Sequence, residues 1–161
     1  MQKQIKILST LLTVLILAVA CSSPNDPTNT AWKDNPNHNL LKKSWYDITS
    51  PNSTYNYDGT TFSSSWEGNI SYSFTVEEIV WNSDNTSGII YGKYTANTYT
   101  PELVRKYYAV SFKSLTSESV SISGAYKVNG VSATDTLAEA KTTFTEANGY
   151  FAQYSDCTAV K

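Results

Sequence analysis

Asn69-Ile70-Ser71-Tyr72-Ser73-Phe74-Thr75-Val76 decides the fold. Ile70, Tyr72, Phe74 and Val76 alternate with polar residues, and on an extended chain that period of two sends one set to a core and the other to water. The pattern returns in Tyr107–Lys113, where Tyr108, Val110 and Phe112 oppose Tyr107, Ala109, Ser111 and Lys113, and again in Ser119–Gly124. Alternation of this kind belongs to antiparallel strands wet on one side, whereas strands of a doubly covered parallel sheet are apolar throughout.

Working outward, turn chemistry separates the runs. Asp58-Gly59 lies between Thr54–Tyr57 and Thr60–Phe62, and Asp-Gly supplies the positive φ values of a tight hairpin. Asn82–Asn85 divides the strand ending near Trp81 from Gly88–Tyr94, and Ser114–Ser119 joins the second and third runs. Short connections force antiparallel neighbours. One helix interrupts the series: Thr136-Leu137-Ala138-Glu139 has capping-box spacing, Leu137, Ala140 and Phe144 share a face suited to lie on the sheet, and Asn148-Gly149 is the stop. Tyr150–Tyr154 reads as the last strand. The expected architecture is all-β with one helix, an antiparallel meander closing into an eight-stranded barrel with the helix before the last strand.

The N-terminal stretch sets the address. Lys3 and Lys6 precede an almost unbroken apolar run, Ile7 to Ala20, which is followed at once by Cys21. That order is a secretory signal, too short to remain as a spanning helix. The reading is a signal peptide over 1–20 with cleavage between Ala20 and Cys21, a tether over 21–39, and the barrel domain over 40–161. Ser22 to about Asn39 is rich in Ser, Pro, Asn, Asp and Thr, which favours a flexible linker with a root-mean-square span of roughly 20–25 Å. His38, the only histidine, falls at its end and reads as solvated.

Loss of Lys3 and Lys6 takes the 12 basic residues to 10 against 14 acidic ones. Such a balance gives no electrostatic reason to expect nucleic acid as a partner. Only two cysteines occur, Cys21 and Cys157. If Cys21 carries lipid, Cys157 is a single thiol, read as a small buried or unpaired residue; if the chain is released as a soluble protein, the two are free to pair.

Leu17-Ala18-Val19-Ala20-Cys21 resembles a bacterial lipobox, with Ala18 where leucine is usual. The resemblance implies an N-terminal cysteine bearing acyl chains, and Ser22 after it implies the outer membrane. Ala18-x-Ala20 also suits an ordinary signal peptidase, which would release the chain. The element order over residues 43 to 154, with Trp45 on the first strand, resembles the lipocalin or calycin barrels, although Lys43 stands in place of their glycine and Arg105, the sole arginine, lies in a mid-chain loop. Thr86–Thr95, Lys106–Lys113 and the Thr136–Lys141 run leading to Phe144-Thr145 resemble small treponemal-type lipoproteins, a likeness that implies location and fold and no chemistry.

Catalytic sets give little. Glu77-Glu78 is the only adjacent carboxylate pair, and neighbours on a strand are expected to point to opposite faces, unable to share a proton or a metal. There is no Gly-x-Ser-x-Gly, phosphate loop or Cys-x-x-Cys. Three sequons, at Asn52, Asn69 and Asn85, matter only in a glycosylating host. The expectation is therefore a non-enzymatic module without cofactor or metal, held on a bacterial membrane. It binds an envelope or host protein through its outer surface and the long loop around Thr95 to Lys106, or carries a small hydrophobic ligand in the barrel. In the latter case the wall residues are Tyr72, Phe74, Tyr91, Tyr94, Tyr108 and Phe112.

Overall fold

A computed structural model describes residues 30–160. The signal, Ala20 and Cys21 lie outside the described residues. Eight strands close into one antiparallel barrel in sequence order: β1 (Ser44–Asp47), β2 (Ser53–Tyr57), β3 (Thr61–Trp66), β4 (Asn69–Trp81), β5 (Gly88–Asn97), β6 (Tyr107–Lys113), β7 (Ser119–Gly124) and β8 (Ser155–Ala159). Helix α1 (His38–Leu41) precedes the barrel and α2 (Leu137–Thr143) lies between β7 and β8. Closure pairs β8 with both β7 and β1, so no strand edge is left open.

The turns form as their residues dictate. Asp58 Oδ1 accepts from the backbone of Thr60 and Thr61 while Gly59 takes φ +103°. The capping box of α2 is complete: Thr136 Oγ1 accepts from Glu139 N and Glu139 Oε2 accepts from Thr136 N. Asn148 Nδ2 then caps the carbonyls of Thr142 and Thr143, and Gly149 turns the chain at φ +75°.

The last strand sits further along than Tyr150–Tyr154. Tyr150 and Phe151 are buried in the segment after α2, and pairing begins at Ser155. Their apolar character serves packing outside the barrel, where the Phe144 and Tyr150 rings meet edge to face at 5.1 Å. Neither is β6 wet on one side: Ala109 and Ser111, outward in register, are buried beneath the segment that follows β7, and Ser111 Oγ meets Tyr154 Oη at 2.9 Å. Ile70 also departs from expectation. It is 51% exposed, beside the Glu67-Gly68 turn where a bulge between Ser64 and Ser65 shifts the register.

Antiparallel order fixes which loops share an end of the barrel. The β2–β3, β4–β5 and β6–β7 turns lie at one end, together with the chain's entry into β1. At that end residues 31–39, read above as tether, are folded onto the barrel. A 3-10 turn (Ala31–Asp34) and α1 bury Trp32, His38 and Leu41. Trp81 Nε1 donates to Trp32 O at 3.0 Å, Trp45 Nε1 to Leu41 O at 3.3 Å, and Asn35 and Asn37 bond Asn85. His38 is 3% exposed, with Nε2 at 3.0 Å from Tyr57 Oη. These few apolar side chains give the polar stretch enough buried area to order it. Lys43 Nζ lies 5.1 Å from the Trp45 ring centroid.

Candidate functional site

From the closed end to its middle the barrel is filled. Trp45, Tyr57, Phe62, Phe74, Phe112 and Ile122 are each at most 1% exposed, and the Phe62 and Phe74 rings stack at 5.3 Å. Gly92 belongs to this packing, because a Cβ there would lie 2.4 Å from Phe74 Cδ2. Val110, Val120 and Cys157 complete it, and burial pushes the Cys157 thiol up to about 12, leaving it protonated and inert.

The other end carries the β1–β2, β3–β4 and β5–β6 connections and the long β7–β8 segment. Here the interior surface changes from phenylalanine to tyrosine. Tyr94 and Tyr108 stack at 4.9 Å, and Tyr72 meets Tyr108 edge to face at 5.5 Å. Burial, first among the causes, holds the phenols of Tyr72, Tyr94 and Tyr108 well above their ordinary value, so they are neutral donors and not bases. Gly124 allows their approach, since a Cβ at that position would lie 2.7 Å from Tyr108 Oη.

Above this floor are two hollows. The larger, about 880 Å³, is bounded by Tyr72, Tyr94 and Tyr108 below, by Asn97, Tyr99 and Leu103 on the β5–β6 side, and by residues 125–132 opposite. The smaller, about 630 Å³, lies between Gly124–Val128 and Gly149–Ser155, with Tyr55 in its wall. Tyr126, Lys127 and Val128 line both, so this strip is the ridge at which they meet. Tyr150 fixes the ridge: its carbonyl accepts from Tyr126 N at 2.9 Å, its hydroxyl accepts from Val131 N at 3.0 Å, and Lys127 Nζ stands 5.8 Å from its ring centroid. Gly130 is needed in the turn because a Cβ would approach that hydroxyl to 2.8 Å.

Of the wall residues expected from sequence, Tyr72, Phe74, Tyr94, Tyr108 and Phe112 share the interior face, but only the three tyrosines reach a hollow; Phe74 and Phe112 are core. Tyr91 faces outward. It pairs with Glu78 and Ala109, its hydroxyl donates to Phe144 O at 3.0 Å, and burial then the Glu78 charge push its pKa to about 12. The Glu77-Glu78 pair also differs from expectation. A bulge between Val76 and Glu78 inserts an extra residue, so both carboxylates reach the outer surface, where Glu78 pairs with Lys141 at 2.7 Å and Glu77 accepts from Tyr107 Oη at 3.4 Å. They serve different partners and form no shared site.

Sequence reasoning missed Tyr55, Tyr99, Tyr126, Tyr150 and Tyr154, which complete the lining. The available signal was the number of tyrosines: eight of the chain's 12 border the two hollows.

No family model and no curated protein matches this chain. Among solved structures, the fold is similar to the crystal structure of Treponema pallidum Tp0751 (pallilysin), with a TM-score of 0.50 and 10% identity, over 84% of this chain and 100% of that one. At that identity the similarity is one of fold.

Proposed function

We propose that this protein is a lipid-anchored, non-enzymatic binding module of the bacterial outer membrane, and that it binds through the open end of its barrel. The observation that carries the binding face is an asymmetry. Among the described residues, seven of the ten exposed large apolar side chains (Ile48, Trp66, Ile70, Tyr99, Tyr126, Val128 and Val131) stand on the loops and strand ends of that end. Apolar groups concentrated on one face mark an interaction surface, whereas scattered ones do not. The opposite end is covered by the chain's own residues 31–41.

Two facts support a role without chemistry. The only histidine is buried against Tyr57, and Cys157 is a buried, protonated thiol. The alternative, a carrier of a small hydrophobic ligand, has less support because phenyl and indole rings occupy the space such a ligand would take. The anchor rests on the Ala20-Cys21 junction, and two or three acyl chains at about 0.8 kcal/mol per buried CH₂ would hold the protein permanently.

A photo-crosslinking amino acid placed at Tyr99, and separately at Val160 on the closed end, tests the binding face in the producing bacterium. Adducts from position 99 and none from 160 are expected; the reverse overturns the assignment. Metabolic palmitate labelling abolished by Cys21→Ala is the expected result for the anchor, and a chain that never takes up label overturns it.

A further inference from the structure

We infer that the open end is an oligosaccharide site, in which one glycan chain lies across the Tyr126–Val128 ridge with a carboxylated sugar next to Lys127. This rests on the open end being the binding face and adds the class of ligand. The walls carry the argument. Two preformed hollows of ligand-accommodating size share one ridge, and their lining combines phenol rings with amides such as Asn97, Asn129 and Gln153 and hydroxyls such as Thr100 and Ser155. Flat aromatic faces receive the CH faces of sugar rings, and fixed amides and phenols receive their hydroxyls.

Charge narrows the class. Among the described residues no aspartate or glutamate borders either hollow, although acids outnumber bases in the whole chain, and Lys127 on the shared ridge is the sole charged lining residue. A ligand with many neutral hydroxyls and one carboxylate matches that wall. Tyr99 and Tyr126, 79% and 65% exposed, stand at the rim as ready stacking surfaces.

Other occupants fit less well. An acyl chain would leave amides and hydroxyls facing hydrocarbon, which costs free energy for every unpaired group. An extended polypeptide gains affinity by adding a strand to a free sheet edge, and closure of this barrel removes every edge.

The test titrates full-length protein, purified in detergent, with two probes: a tetrasaccharide alternating glucuronate with N-acetylglucosamine, and a neutral N-acetylglucosamine tetramer. Binding is followed by calorimetry and by saturation-transfer NMR. Both tetramers are expected to bind, the carboxylated one up to about fivefold tighter, an advantage that Lys127→Met removes. Tyr126→Ala is expected to weaken both about tenfold with an unchanged thermal midpoint. No saccharide binding at millimolar concentration overturns the inference, and if crosslinks still form from position 99 the open-end reading survives it. Saccharide binding untouched by both Tyr126→Ala and Tyr99→Ala overturns the site. An acidic peptide that binds the open end where neither tetramer does assigns the face to polypeptide and overturns the glycan.

Discussion

The two ends of this barrel use the same kind of residue to opposite effect. At the closed end aromatic rings meet other rings and the chain's own strap, and Trp81 Nε1 donates to Trp32 O. At the open end tyrosines are stacked below and exposed above, leaving phenol faces and two hollows turned to solvent. Rings packed on one another beneath a strap close one end of the barrel; tyrosines without such a cover leave the other end able to bind. A substitution at one end should therefore cost stability, and one at the other should cost binding.

The contrast breaks most visibly at Phe74. Phe74→Ala is expected to remove about 3–5 kcal/mol of stability, read as a lower urea midpoint, because the surrounding rings cannot collapse into the space. Gly92→Ala should cost about 1–3 kcal/mol by crowding the Thr75 carbonyl and the same ring. Loss of the α2 cap is smaller: Thr136→Ala should cost about 1 kcal/mol by the same measurement.

A pH test sharpens the comparison at the closed end. Burial, then Lys42 and Lys33, hold the His38 imidazole below its ordinary 6.5, while Tyr57 from β2 and Trp32 pack against it. A depressed folded value means the unfolded chain takes up the proton first. The contribution of His38 is thus fully present above about pH 6.5 and is lost as pH falls through the depressed folded value. Thermal midpoints at about pH 7.5 and pH 5 should differ less in His38→Gln than in the parent; an equal drop in both removes His38 from the account. The smallest expected stability effect is at the mouth. Tyr99→Ala should move the urea midpoint by less than about 0.5 kcal/mol equivalent.

Much of the barrel is legible in the sequence, because strands exposed on one face must alternate. Legibility failed where both faces are covered. In Gly88–Tyr94 hardly any polar residue marks the outside, so the outward direction of Tyr91 became visible only from its pairing with Glu78 and Ala109. Tyr150 and Phe151 resembled a strand because burial selects apolar residues whatever the backbone does. β8, with Asp156 and Thr158 either side of Cys157, is too polar to announce itself. The strap was hidden because three buried residues, Trp32, His38 and Leu41, are diluted among asparagines and lysines.

By itself the sequence determined the class of fold, the capped helix and the tight turns, since each follows from period, propensity or local hydrogen bonding among residues close along the chain. Which tyrosines gather at one mouth, which carboxylates reach the same surface past a bulge, and which end the chain covers with its own residues were decided only by closure. Those relations join residues a hundred or more positions apart, as Tyr55 and Ser155 show with a hydroxyl contact of 3.4 Å and Trp45 with Ala159 in the closing strand pair, and no local rule carries that information.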